Sequence, residues 1–442
     1  MKRLSITEYQ PSERIYQDAK SGFNIDRASL NTLLQRAGER IQRSLNLKTS
    51  PFEQNSKGLL AKGIAGLVRL NSQVELEIIP KFLDGAEHGN DWRSDFYYLA
   101  TLSRHGQLLA NDKLSGSTAT DRDLPTLVAR ALCDMFESNA RNPLRHYKRV
   151  QERSFMLDGD LDFSEIVTPH PEGFLQASIK YSPENHWNVT ISTAARLLFD
   201  EVTDPQILNR LSRIFHALGN QKLTRSSVAK IVPSRHKAWE PLYLLSWDIV
   251  KGFGLDYANG NALTPGYVVS TWQLWEDLLS VSAKLGYGYE AVATQAQFRL
   301  ATRHTTSGQK AANVFPDIVI FPSEAQQPFV FDAKYKTNSA KAYSRINEAD
   351  IYEAMAFAKA TGTNTIILGY PMRPRKGAAV KVGEIDHFET ICLDSLTIYG
   401  VEIEVRGISQ YRGLTTLSSN LREGLEEIEL INSESLGAIS LA

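Results

Sequence analysis

Two aspartates, a lysine and a glutamate in the C-terminal part of the chain have the types and spacing for chemistry at phosphorus. Asp332 and Lys334 end a hydrophobic run in FVFDAKYKT, residues 329–337. Side chains alternate along a strand, so an acid-x-Lys triplet sets both groups on one face, about 7 Å apart along the backbone. The preceding apolar run, VFPDIVIF, holds Asp317, a charge that is costly there unless paired or metal-bound. A meander lays that run beside FVFDAKYK and brings Asp317 towards Asp332. Upstream, Glu276 in LWEDLL has Trp272 and Leu279 at i−4 and i+3, which places it near the apolar face of its helix. Carboxylates of this kind hold Mg²⁺, or Mn²⁺ in its place, with water and phosphate filling the other positions. Such an ion activates water and stabilises in-line displacement, and a neighbouring lysine offsets the charge that develops.

The same triplet occurs at Asp18–Lys20, inside IYQDAKSGF. No strand pattern and no second acid accompany that copy, and beside Ser21-Gly22 it reads as a surface turn. Context therefore separates the two copies. The later one needs a helix for Glu276 and neighbouring strands for the aspartates.

The periodicity supplies those elements. TWQLWEDLLSVSAKLG, 271–286, reads as a helix stopped by Gly286. AQFRLATRH, VFPDIVIF and FVFDAKYK read as three short strands separated by turn formers. INEADIYEAMAFAKATG then reads as a helix capped by Asn347 and ended by Gly362, and TIILGYP, 365–371, as a buried strand. The order helix, three-strand meander, helix, strand is one α/β layer unit. Its core spans about residues 266–405 of a C-terminal domain, 166–442. The end of the chain reads as a peripheral helix and a loose tail.

The N-terminal domain, 1–165, reads as mixed α+β. Residues 27–46 have the spacing of an amphipathic helix. In GLVRLNSQVELEIIPKF, 66–82, Val74, Leu76 and Ile78 alternate with Glu75 and Glu77, the pattern of a half-buried strand entered by a turn at Asn71-Ser72. Residues 92–150 read as mainly helical and lead into a basic stretch, RNPLRHYKRVQER, which is a solvated helix face or a nucleic-acid or partner contact. TPHPEG, 168–173, marks the boundary region. Helical patterns return at 190–217 and 239–252.

Composition narrows the field. The 442 residues are 42% hydrophobic and carry a formal net charge of −1, so contact with nucleic acid needs a local basic patch or a partner. Two cysteines, Cys133 and Cys392, make neither a disulfide framework nor a structural zinc site. No apolar segment follows MKRLSITEYQ as in a signal peptide, and no run has the length of a membrane span. A cytoplasmic protein is expected. The sequence has no G-x-x-x-x-G-K-[ST], H-E-x-x-H or G-x-S-x-G, which removes support for a nucleotide hydrolase, a zinc protease or a serine hydrolase.

P-D…D-x-K on this order of elements resembles the PD-(D/E)xK nuclease superfamily. More narrowly, PDIVI…FVFDAKYK…EADIYEAMAFA resembles the McrC family, the nuclease subunits of McrBC-type restriction systems. The likeness extends to GLVRLNSQVELEIIPKF, LDGDLDF (157–163), SPENHWNVTISTAARLL (182–198) and WQLWEDLL. It implies a restriction-endonuclease-like C-terminal core and a partner-interaction role for 1–165. Asp317 and Asp332 match the metal-binding acids, Lys334 the catalytic lysine and Glu276 the helix acid. Asp350 and Tyr352 match the D-x-Y of the next helix; with Glu353 and Lys336 they are expected to position the metal site or the DNA. Glu353 stands where Gln is usual and Phe357 where Tyr is usual. The resemblance further implies double-stranded DNA as substrate and an AAA+ GTPase or ATPase partner of the McrB type, whose hydrolysis the chain stimulates in a hetero-oligomer. Arg303 and Lys310, in TRHTTSGQK (302–310), are candidate phosphate contacts or an ordinary hairpin loop. Two other readings stand beside the endonuclease subunit: a non-cleaving activator of the AAA+ partner, and a stand-alone nuclease of RecB or resolvase type.

Overall fold

A computed structural model of the chain describes residues 2–71, 74–84, 92–105, 124–157, 159–161, 170–219, 230–252, 268–305, 308–322, 327–335, 345–373 and 380–439. Its elements begin with β1 (Lys2–Thr7), α1 (Arg14–Phe23), α2 (Arg27–Ser44), β2 (Phe52–Asn55), β3 (Gly58–Ala61), β4 (Ile64–Arg69), β5 (Val74–Ile79) and α3 (Trp92–His105). There follow α4 (Leu124–Asn139), β6 (His146–Ser154), β7 (Asp160–Leu161), β8 (Phe174–Ser182), α5 (His186–Phe199), α6 (Pro205–Leu218) and α7 (Glu240–Gly252). The C-terminal part holds β9 (Val268–Ser270), α8 (Thr271–Tyr287), β10 (Val292–Thr294), β11 (Phe298–Thr305), β12 (Gly308–Val314), β13 (Ile318–Ile320) and β14 (Phe329–Ala333). It ends with α9 (Glu348–Thr361), β15 (Thr365–Pro371), β16 (Ile385–Leu393), β17 (Leu396–Ile403) and α10 (Gly413–Ile439).

The chain forms two compact units, Met1–Leu124 with Asp256–Ala442, and Pro125–Leu255. This division does not follow the 165/166 boundary expected from the sequence. The reason is strand pairing: β9 joins the N-terminal sheet, of order β1-β5-β4-β9, and runs straight into α8. The first unit therefore contains both ends of the sequence.

In that unit β5 is buried on both faces, not one. Glu75 and Glu77 are 2% and 7% exposed, and each meets an arginine: Arg3 Nε at 3.0 Å from Glu75, and Arg93 with two bonds of 2.9 Å to Glu77. Alternation of acids with apolar residues signals a strand, but salt bridges to β1 and α3 let the acid face be covered. The early Asp18–Lys20 copy lies in α1, not in a turn, where Asp18 is 3.6 Å from Arg14 one helical turn earlier. Asp26 caps α2 by accepting from the Ser29 N–H at 2.7 Å.

The second sheet of the first unit has the order β10-β13-β14-β15-β17-β16. β14, β15 and β17 are parallel, while β10, β13 and β16 are antiparallel to their neighbours. All seven residues of β15 are buried, as expected for a central strand covered on both faces. On one face Val330, Ile366, Leu368 and Ile398 pack with Ala354 and Phe357 of α9. The meander has a different first strand from the one expected. β10 pairs with β13, whereas β11 leaves the sheet and pairs with β12 as a separate hairpin. Pro316, which lacks an N–H, and Asp317 break VFPDIVIF between β12 and β13. The hairpin of β16 and β17 extends the sheet at its far edge.

The second unit holds a three-stranded sheet, β6-β8-β7, with α4 to α7. The basic stretch expected on a helix lies on β6. Its cations pair across the sheet and beyond, Lys148 with Glu184 at 3.0 Å and Arg149 with Asp160 at 3.1 Å. Nine-residue pairing with β8 outweighs local propensity here.

Candidate active site

β14 ends where the sheet meets α8 and α9. Asp332 is the penultimate residue of β14 and Lys334 follows its end, so both side chains leave the same face. Lys334 Nζ lies 2.5 Å from Asp332 Oδ2 and 2.7 Å from Glu353 Oε2 on α9. Asp317 precedes β13, beside β14, and its Oδ2 accepts the Ala333 N–H at 2.9 Å. Glu276, on the second turn of α8, is half-buried.

Gln295 joins these groups, and the sequence carries no signal for it. Its amide Nε2 donates to Glu276 Oε1 at 2.6 Å and to Asp317 Oδ1 at 2.8 Å. Its backbone N–H donates to the Asp317 carbonyl at 3.0 Å. Gln295 holds a left-handed backbone, φ 50°, which costs a residue with a side chain roughly 1–2 kcal/mol. A polar residue between two short strands looks like an ordinary turn; only the folded chain shows it bridging two acids.

Gly369 of β15 makes the second link. Its carbonyl accepts the Lys334 N–H at 2.9 Å and the Trp275 indole N–H of α8 at 3.0 Å. A Cβ at this position would come 2.7 Å from the Phe331 ring, so the close approach of β14, β15 and α8 requires glycine.

The electrostatics follow from burial. Asp332, 2% exposed, is pushed up to about 7 by burial, with Lys334 opposing and Asp317 adding to the rise. Asp317 is raised by burial and by the charge of Glu276, against the Ala333 N–H and the neighbouring Asp332 carboxyl. Glu276 is raised by burial, with the Gln295 amide opposing and Asp277 and Asp332 adding. Burial alone would lower Lys334, but Asp332 and Glu353 outweigh it and hold the ammonium charged. Although Asp332 Oδ2 touches that ammonium, among the described residues no hydrogen bond of good direction reaches this buried oxygen.

Removal of the bridging amide gives a direct check on this geometry. Gln295→Ala should push the Glu276 carboxyl further up, since a donor to its anion is lost. It should also destabilise the fold by about 1–3 kcal/mol through unpaired acceptors. Carboxyl ¹³C shifts through a pH titration, with thermal unfolding, read both effects. An unaltered Glu276 titration would mean that the bridge does not form in solution.

The other expected residues are placed as follows. Asp350 is fully buried and accepts from Tyr370 OH at 3.2 Å. Tyr352 is 67% exposed on α9. Phe357, on the buried face of α9, belongs to the sheet core, which accounts for an apolar ring without a hydroxyl. Arg303 and Lys310 are directly opposite on β11 and β12, and both are exposed. Lys336 lies outside the described residues.

The family model for "McrBC 5-methylcytosine restriction system component" matches residues 59–371, more than half of the chain. The chain belongs to this McrBC family. Within solved structures, 97% of it matches the whole of a chain in the refined half-complex from the tetradecameric assembly of Thermococcus gammatolerans McrB AAA+ hexamers with bound McrC. The TM-score is 0.66 at 14% identity, a likeness of fold. A chain of the cryo-EM structure of the Thermococcus gammatolerans McrBC complex matches 63% of this chain over 86% of its own length, at 14% identity and TM-score 0.46. No curated protein matches. The mixed α/β fold and the McrC resemblance read from PDIVI…FVFDAKYK thus agree with the comparisons. Among the described residues of this McrBC component, no helix is long and apolar enough to cross a membrane.

Proposed function

We propose that this McrBC component is the Mg²⁺-dependent DNA endonuclease subunit of its restriction complex. In this reading it hydrolyses phosphodiester bonds and works with an AAA+ NTPase of the McrB type, whose hydrolysis it stimulates. The observation that carries the reading is the convergence of Glu276, Asp317, Asp332 and Lys334 at one end of β14, with a buried Asp332 oxygen that no directed hydrogen bond reaches among the described residues. Among the described residues no three or more His, Cys, Asp or Glu side chains form a ready-made metal cage. Magnesium does not require one, because it is held by one or two carboxylates together with water and substrate phosphates. Asp317 and Asp332 would hold the ion, since two neighbouring carboxyls favour a cation beside them. When bound, the ion supplies Lewis acidity and an activated water. Lys334 places a fixed positive charge beside the reacting phosphate, and Glu353 helps to hold that ammonium in place. Gln295 keeps Glu276 and Asp317 in register.

The partner enters from the fold likeness to a chain from an McrB assembly with bound McrC. The test is cleavage of supercoiled and linear DNA with Mg²⁺, with and without the AAA+ partner and GTP or ATP. Cutting that requires partner and nucleotide supports the reading. Cutting by the chain alone would make it a stand-alone nuclease. Stimulated NTP hydrolysis without cutting would make it an activator.

The same reading assigns the hairpin of β11 and β12 to the DNA backbone. Like charges directly opposite on a ladder repel, and Arg303 faces Lys310. A phosphate between them removes that cost. In the double variant Arg303→Gln/Lys310→Gln, the slope of log affinity against log salt should fall in magnitude by about two. An unchanged slope, measured by fluorescence anisotropy over a salt series, would exclude the hairpin from the contact.

A further inference from the structure

Glu8 follows β1, far in sequence from the candidate site, and is fully buried. Its backbone N–H donates to the Ile79 carbonyl at 2.9 Å, which fixes it at the end of the β1–β5 pair. One carboxylate oxygen, Oε1, accepts from Thr271 Oγ1 at 2.6 Å. The other, Oε2, accepts from Tyr335 OH, also at 2.6 Å. Thr271 is the first residue of α8, the helix that bears Glu276. Tyr335 directly follows Lys334. A single carboxylate therefore ties together the two elements that carry the candidate catalytic groups.

The surroundings hold Tyr335 to one position. Lys81 Nζ sits 4.0 Å above its ring, and Phe82 meets the ring edge-on at 5.9 Å. Lys81 also offsets the charge of Glu8 inside the unit. Burying a carboxylate this completely is expensive, and a core of apolar residues would join the sheets at lower cost. What the carboxylate adds is two short, directional bonds of fixed geometry, whose ends lie one residue from Lys334 and five residues from Glu276.

We propose that Glu8 is a positioning residue for phosphodiester cleavage: through Thr271 and Tyr335 it sets the distance between α8 and the end of β14, and hence the placement of Lys334 against the carboxylates. This inference rests on the nuclease reading above. It makes the N-terminal sheet a working part of the cleavage site.

Tyr335→Phe removes one hydroxyl and keeps the ring; Glu8→Gln keeps the size but replaces one of the two acceptor oxygens with a donor. Both variants are compared with wild type as the full chain with its AAA+ partner, nucleoside triphosphate and Mg²⁺. The readouts are single-turnover cleavage, KM for DNA and thermal unfolding. A misplacement of about 1 Å costs on the order of 100-fold in rate. Tyr335→Phe is therefore expected to cut about 10- to 100-fold more slowly, with KM for DNA unchanged and an intact unfolding transition. Should Glu8→Gln fail to fold, Tyr335→Phe alone decides. Wild-type rates per folded molecule in Tyr335→Phe would overturn the proposal and leave Glu8 as a packing residue. A wild-type chain that never cuts would remove the nuclease reading, and this inference with it.

Discussion

Asp332→Asn is expected to reduce DNA cleavage by at least about 1,000-fold, the scale of losing a charge that stabilises a transition state. The amide keeps the size of the carboxyl but cannot neutralise a cation. Stimulation of the AAA+ partner and the salt-dependent part of DNA binding should persist, because the substitution leaves the exposed cations of the chain unchanged. Gel assays of cleavage, anisotropy and phosphate release separate the three properties. Wild-type cutting by Asp332→Asn would refute the site. Stability adds a second signature in the metal-free chain. The Asp332 carboxyl sits at about 7 in the folded chain against an ordinary 3.8. Between those values the folded state binds more protons than the unfolded state, so stability falls as pH rises through this window. Above about pH 7 the contribution is lost in full. Glu8, also raised to about 7, acts with the same sign. Asp332→Asn should therefore flatten the decline between about pH 4 and 7 without abolishing it, and should match or exceed wild-type stability at pH 8. Thermal unfolding in EDTA across that range measures this.

Lys334→Met is expected to cost about 100- to 1,000-fold in the single-turnover rate, by loss of a fixed positive charge at the reacting phosphate. Methionine fills the space left by the aliphatic stem. The ammonium now contacts Asp332 and Glu353, so its loss leaves two carboxylates without their shared cation. Asp332 should then rise further, because the group that chiefly opposes burial is gone. A Lys334→Arg variant should not restore the rate, since a planar guanidinium spreads its charge over a wider fork and does not place it where the compact ammonium does. Rapid-quench measurements at saturating DNA give the rate. Recovery with arginine would mean that charge alone matters there.

The candidate site was legible where its chemistry is written in consecutive residues. FVFDAKYK showed a strand, an acid and a lysine on one face, and the folded chain joins them as an ion pair. Asn347 and Gly362 marked the ends of α9 because capping is a local property. Long-range pairing hid the rest. Nothing near AQFRLATRH shows that β11 pairs with β12 apart from the main sheet, and no local signal shows that Glu75 and Glu77 find arginines. Gln295 and Glu8 are single polar residues whose partners lie on other elements. A helix face and a basic strand have the same composition, so the charges of RHYKRVQER do not show that it is a strand.

The joining of β9 to β4 bears on the time at which a newly made chain becomes active. The unit holding Asp332 and Lys334 draws on both ends of the sequence, with Pro125–Leu255 between them. During synthesis the early sheet must wait for its fourth strand, and Glu8 must wait for a tyrosine 327 positions later. Contacts of such separation form late and slowly. A ribosome-bound fragment, or a product truncated before Tyr335, thus has no assembled centre. On the nuclease reading, the host chromosome would meet a cutting centre only after synthesis has passed Tyr335.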